Sequence, residues 1–175
     1  MPEGNTPPAS GGSNKMLYII GGVVVLALVG WFLMRGVGSV AELASGVDVN
    51  RSMDGSTTYT DSQGNSATVG SNSMPSNWPS DAPANYAGAS IQYSGTSNPQ
   101  TGKMGSAVSY TVRASAKSVG DYYAGQLASA GWKIEGTANM GGATVVSATK
   151  DTRSFGAYIV GTNGGMVTVT AGIEL

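Results

Sequence analysis

The sequence predicts an α+β fold: an N-terminal single transmembrane helix, then a small antiparallel-sheet domain of order ββαββββ with one helix packed on one face. Three observations lead there. Leu17 to Met34 runs eighteen positions without a charge, and at about 1.5 Å per residue such a run crosses a hydrocarbon core of about 30 Å. Further along, six short stretches alternate or cluster apolar residues in the manner of strands. One stretch near Ser118–Ala130 instead repeats its apolar residues at helical spacing.

Taken in order, residues 1–15 form a polar tail rich in Pro, Gly and Ser, a composition that favours disorder. Residues 16–35 are the expected transmembrane helix. Lys15 and Arg35 close its ends, and Tyr18 and Trp31 stand where amphipathic rings settle among headgroups. One Lys and the N-terminal amine face one Arg across the span, so charge asymmetry hardly sets its orientation. The Lys-poor, Ser/Thr/Asn/Gly-rich remainder favours a cytoplasmic N-terminus and a C-terminal domain outside the cell membrane. Ser39-Val40-Ala41 offers a cleavage site for a signal peptide, but the apolar run is longer than a signal h-region.

Residues 36–76 read as a linker with a β-hairpin near 57–69, turning at Gln63-Gly64-Asn65. A lone hairpin is marginal in water. Pro75, Pro79 and Pro83 then predict an extended, stiff segment. Residues 77–175 form the extracytoplasmic α+β domain. Its expected strands are Ala89–Ser94, Ser106–Arg113, Trp132–Glu135, Ala143–Thr149, Arg153–Val160 and Met166–Ile173. The helix turns Val119, Tyr123, Leu127 and Ala130 to one side. Ser115 or Ser118 caps its start, Asp121 favours its first turn, and Gly131 ends it. Short turns at Asn139–Gly142, Lys150–Thr152 and Asn163–Gly165 imply antiparallel neighbours.

Composition excludes several functions. Charged residues are 11% of the chain, against about 25% in a usual globular protein. Beyond Arg35 seven basic residues stand against nine acidic ones, thinly spread, so no nucleic-acid partner is expected. The chain has neither Cys nor His. That removes Ser–His and Cys–His nucleophiles and the usual zinc ligands. No catalytic, cofactor-binding or metal residue is assigned, and no cofactor is expected. Among the remaining candidates, Asp121 and Glu135 flank the helix and its following strand, while Lys150, Asp151 and Arg153 read as a solvated hairpin tip. Asn50, Ser52, Asp54, Gly55 and Asp61 fall at calcium-loop spacing, but Asn opens the loop and Asp rather than Glu closes it. A polar turn at Met53-Asp54-Gly55 is the simpler reading. Trp78, Tyr86, Tyr93, Tyr110, Tyr122, Tyr123, Trp132 and Tyr158 suit either an aromatic binding platform or the core of a small domain; the core is expected.

Two strings carry a resemblance. Trp78-Pro79, Asp81, Pro83, Tyr86, Gly88 and Ala89 form a W-P-x-D-x-P-x-x-Y-x-G-A opening, and Tyr122-Tyr123, Leu127 and Gly131-Trp132 form a Y-Y-x-x-x-L-x-x-x-G-W helix end. Over about Asn77 to Ile173 the chain resembles a group of uncharacterised bacterial exported or membrane-anchored proteins, with Ala87 where Pro is usual. The resemblance implies a ββαββ-type domain behind an anchor, and no reaction, cofactor or site.

The expected function is that of a single-pass membrane-anchored envelope protein with a non-catalytic binding, assembly or structural role. Its partners are the lipid bilayer and an envelope protein or glycan, met at sheet edges or on the face opposite the helix. The alternative is a pilin-like filament subunit, which lacks the Glu that should follow the processing Gly, here Gly12. A hydrolase-type enzyme built on acidic, Lys or Tyr residues ranks third.

Overall fold

A computed structural model of the chain describes residues 47–61, 66–96, 104–140 and 142–175. In chain order these hold β1 (Val47–Arg51), β2 (Thr57–Asp61), β3 (Ser66–Val69), β4 (Ser90–Thr96) and β5 (Gly105–Arg113). Helix α1 (Ala116–Ser129) follows, then β6 (Lys133–Met140), β7 (Ala143–Lys150), β8 (Arg153–Thr162) and β9 (Met166–Glu174). All nine strands join one antiparallel sheet in the order β1-β2-β3-β4-β5-β9-β8-β7-β6.

This sheet corrects the expected fold class. The described chain is mostly one large nine-stranded antiparallel sheet with a single short helix, not a six-stranded ββαββββ α+β domain. The three additional strands come from residues 47–69. Two of them, β2 and β3, fall where the hairpin near 57–69 is expected. One face carries Thr58, Ser66 and Thr68 and the other Val49, Tyr59, Ala67 and Val69, an apolar set too small to announce that the hairpin adds to the sheet or to fix its register there. Backbone pairing decides instead: Ser66–Val69 of β3 fills the edge of β4 against Tyr93–Thr96, and β2 and β1 add in turn. The expected transmembrane helix at 16–35 lies outside the described residues, as does the tail. No helix among the described residues is long and apolar enough to cross a membrane.

The core lies between α1 and the β5–β9 half of the sheet. Val108, Tyr110 and Val112 of β5 face the same way as Val167, Val169 and Ala171 of β9 and as Phe155, Ala157 and Ile159 of β8. Val119, Tyr123 and Leu127 of α1 close over them, fully buried. The helix starts where Ser115 Oγ accepts the Ser118 N–H at 3.0 Å. It stops at Gly131, whose φ of +79° glycine adopts without strain. There Trp132 N–H reaches Leu127 O at 2.9 Å and Gly131 N–H reaches Ala128 O at 3.1 Å, the paired bonds of a Schellman cap. The helix begins two residues before Ser118, so Asp121 is in its second turn. There it pairs at 2.6 Å with Lys117, one turn back on an exposed face.

Between β3 and β4 the chain forms a strap over the sheet. Here too structure differs from expectation. The prolines do not hold the strap extended; two of them open successive turns, with Trp78 N–H on Pro75 O at 3.0 Å and Ala82 N–H on Pro79 O at 3.1 Å. A proline lacks the N–H but keeps its carbonyl, so it can begin a turn it could not continue as helix. The four-residue spacing brings Met74, Trp78, Ala82 and Tyr86 down onto the core.

Candidate functional site

Two constellations stand out, one structural and one open to ligand. The first clasps the strap to the helix end. Asp81 accepts both guanidinium nitrogens of Arg153 at 2.8 Å, and Lys150 Nζ at 2.8 Å. Lys150 also caps the helix by donating to Ala130 O at 2.7 Å. Trp132 is 3% exposed and donates its indole N–H to Asp81 O at 2.7 Å, while Arg153 lies 5.0 Å above its ring. Trp78 donates to Pro83 O at 3.0 Å, closing the strap on itself. Farther along, Tyr122 donates to the carbonyls of Ala84 and Asn85, and Tyr86 N–H reaches the Tyr110 hydroxyl. Tyr110 and Tyr123 share a buried hydroxyl–hydroxyl bond of 2.9 Å.

Lys150 and Arg153 are therefore not a solvated hairpin tip. They are drawn across to a carboxylate some seventy positions earlier. The signal for this was one acidic residue in an uncharged, Pro-rich segment. The residues of the two quoted strings also meet here, through Asp81 with Trp132 and Tyr86 with Tyr122, so both strings describe a clasp.

Titration behaviour argues against acid–base chemistry in the clasp. Arg153 and Lys150 hold the Asp81 carboxyl well below the usual carboxylate range. Burial pushes the phenols of Tyr123 and Tyr110 above theirs. Each group moves away from neutrality, whereas a general acid or base is tuned toward it. Glu135 accepts Thr149 Oγ1 at 2.8 Å and lies 3.1 Å from Lys133 Nζ on an exposed strand.

The calcium-loop residues do not surround a point. β1 and β2 are a hairpin in which Asn50 opposes Thr58 near the turn, while Asp61 opposes Val47 at the far end. Asp54 turns back onto Ser56, accepting its N–H at 2.9 Å and its hydroxyl at 2.7 Å. These bonds hold its carboxyl below the ordinary value. No group of three or more His, Cys, Asp or Glu able to hold a metal occurs among the described residues.

The second constellation is a groove of about 330 Å³ on the helix-side face of β2, β3 and β4. Ten of its fourteen lining residues carry a hydroxyl. Thr58, Thr68 and Ser94 oppose one another across the three strands, and Ser66 opposes Thr96 in the next row. The floor is partly self-paired: Thr58 to Thr68 at 2.9 Å and Ser66 to Thr96 at 2.8 Å. The β1–β2 turn makes one wall, and the start of the strap, with Ser71 and Ser73 bonded at 2.6 Å, makes the other. Sequence reasoning missed this site because the strand at Ala89–Ser94 and the hairpin near 57–69 carry no local sign that they pair side by side. The only signal is the density of Ser and Thr between 52 and 76.

A family model described as START domain-like matches residues 91–171, from β4 to β9 and including α1. No curated protein and no solved structure matches the chain. The match covers less than half of the 175 residues and leaves out β1–β3 and the strap.

Proposed function

We propose that this protein is a membrane-anchored, non-catalytic binding protein of the cell envelope, and that its ligand sits in the hydroxyl-lined groove of β2–β4. The groove carries this reading: it is a polar concavity on a braced sheet, with its hydroxyls preset by cross-strand bonds. The START-like match supports ligand binding in general terms. The displaced ionisation of Asp81, Tyr110 and Tyr123 supports a role without proton transfer. The uncharged run Leu17–Met34 supports attachment to a lipid bilayer, with the domain outside.

The test uses the full chain. It is expected to stay with membranes through carbonate extraction, and a fraction of envelope extract is expected to raise its Tm. Ser76 is exposed at the groove rim, so Ser76→Arg should abolish the rise without changing the Tm of the free protein. Release by carbonate removes the anchoring. A Tm that no fraction raises, or a rise that Ser76→Arg leaves intact, removes the groove.

A further inference from the structure

We infer that the groove takes a neutral saccharide chain, an inference that rests on the groove reading above. The lining itself narrows the ligand class. Among the described residues none of the fourteen that line it is Lys or Arg, so a phosphate or carboxylate would find no counter-charge among them. Its one carboxylate, Asp54, accepts both Ser56 bonds on a single oxygen and has no second carboxylate beside it in the described lining to share a cation. Only Met74 and Pro75 contribute sizeable apolar side chains, too little for an acyl chain. A neutral, strongly polar ligand remains.

The hydroxyls select further. Each Ser or Thr offers one hydrogen and two lone pairs. In the pairs Thr58–Thr68 and Ser66–Thr96 one hydrogen is spent on the partner. Each pair holds a second hydrogen and further lone pairs, in directions its rotors can adjust. These pairs recur across strands about 4.8 Å apart. A sugar presents the same bifunctional groups at short, repeated spacing, so donors and acceptors can be matched by rotating hydroxyls on both sides. A peptide in this groove meets side chains on the sheet face rather than free backbone groups at a sheet edge, and so cannot use strand addition. The volume of about 330 Å³ is at the small end for ligand pockets, which suits a short stretch of a longer chain.

The experiment is saturation-transfer NMR on the full chain in a detergent without a sugar headgroup. The probes are neutral hexasaccharides of glucose and of N-acetylglucosamine, with a Gly/Ser hexapeptide as control. At least one hexasaccharide should show transfer, with affinity changing less than about twofold between low and high salt because no charge pair is involved. Ser76→Arg at the rim and Thr68→Val in the floor should each weaken it at least about tenfold, the loss of 1.4 kcal/mol or more. Wild-type Tm and circular dichroism in Ser76→Arg ensure that the loss is not misfolding. Transfer to the hexapeptide alone overturns the saccharide in favour of a peptide, and saccharide transfer unchanged in Ser76→Arg overturns the site. If no hexasaccharide binds while an envelope fraction still raises the Tm in a Ser76-dependent way, the saccharide fails and the groove stands. If neither occurs, both fail.

Discussion

Across one row of the sheet the side chains read Thr58, Thr68 and Ser94 on β2, β3 and β4, then Val108, Ala171, Ala157 and Val146 on β5, β9, β8 and β7. The next row reads Ser66, Thr96 and Ser106, then Ile173, Phe155 and Ala148. The backbone ladder continues unbroken while the chemistry of the face changes near β4 and β5. On the apolar side α1 and the strap cover the sheet. On the hydroxyl side α1 does not reach and only the start of the strap borders the sheet, and the groove lies there. Backbone pairing, with few buried apolar side chains, thus extends a sheet beyond its main core. A net hydrogen bond contributes about 0.5–1.5 kcal/mol, whereas a large buried apolar side chain contributes about 1.5–3 kcal/mol. Stability should therefore concentrate in β5–β9, with β1–β3 carried as an extension available for binding.

The sharpest test of that contrast is Trp132→Ala in the clasp. Loss of a buried ring and of its bond to Asp81 should cost about 3–5 kcal/mol in urea denaturation. A cost below about 1 kcal/mol would mean that the helix end and strap do not brace the sheet.

Asp81→Asn should cost about 2 kcal/mol at neutral pH, because the bidentate Arg153 contact and the Lys150 bond are charge-assisted. The pH dependence follows from the lowered folded pKa. The unfolded carboxyl titrates near 3.8 and the folded one below it, so the stabilisation is complete well above 3.8. It fades as pH falls through the folded value. Wild type and variant should therefore converge in acid. A stability gap that stays constant from neutral pH to pH 2 would show that the clasp is not electrostatic.

On the hydroxyl side, Gly95→Ala would bring a methyl group onto the Tyr93 phenol and within 3.0 Å of the Ser66 carbonyl oxygen. It should cost about 1–3 kcal/mol as overpacking between β3 and β4. Its mark should be faster exchange of β1–β3 amides through local opening, with β5, β8 and β9 protected until global unfolding. Equal acceleration throughout would make the sheet one cooperative unit and dissolve the contrast.

The smallest effect is expected for Thr58→Val. It removes one partner of a part-buried hydroxyl pair and should change stability by under about 1 kcal/mol. A larger loss would assign the hydroxyl rows a structural role that competes with binding.

Alternation at Ser106–Arg113 and at Met166–Ile173, and the spacing of Val119, Tyr123 and Leu127, place β5, β9 and α1 in the sequence itself, because burial against a core leaves a periodic mark. Ser115 and Gly131 marked the helix ends for an equally local reason: each satisfies orphan backbone groups within a few residues. Tertiary structure alone decided the rest. The turn between Thr57–Asp61 and Ser66–Val69 suggests that these two runs pair with each other, but their addition to the edge of β4, and that of β1 to β2, rests on backbone groups that any residue carries, so no local pattern could announce it. Asp81 found Lys150 and Arg153 across some seventy residues, a pairing that no local spacing encodes. The groove exists only because those two outcomes coincide: pairing sets the hydroxyl rows side by side, and the clasped strap builds a wall along them.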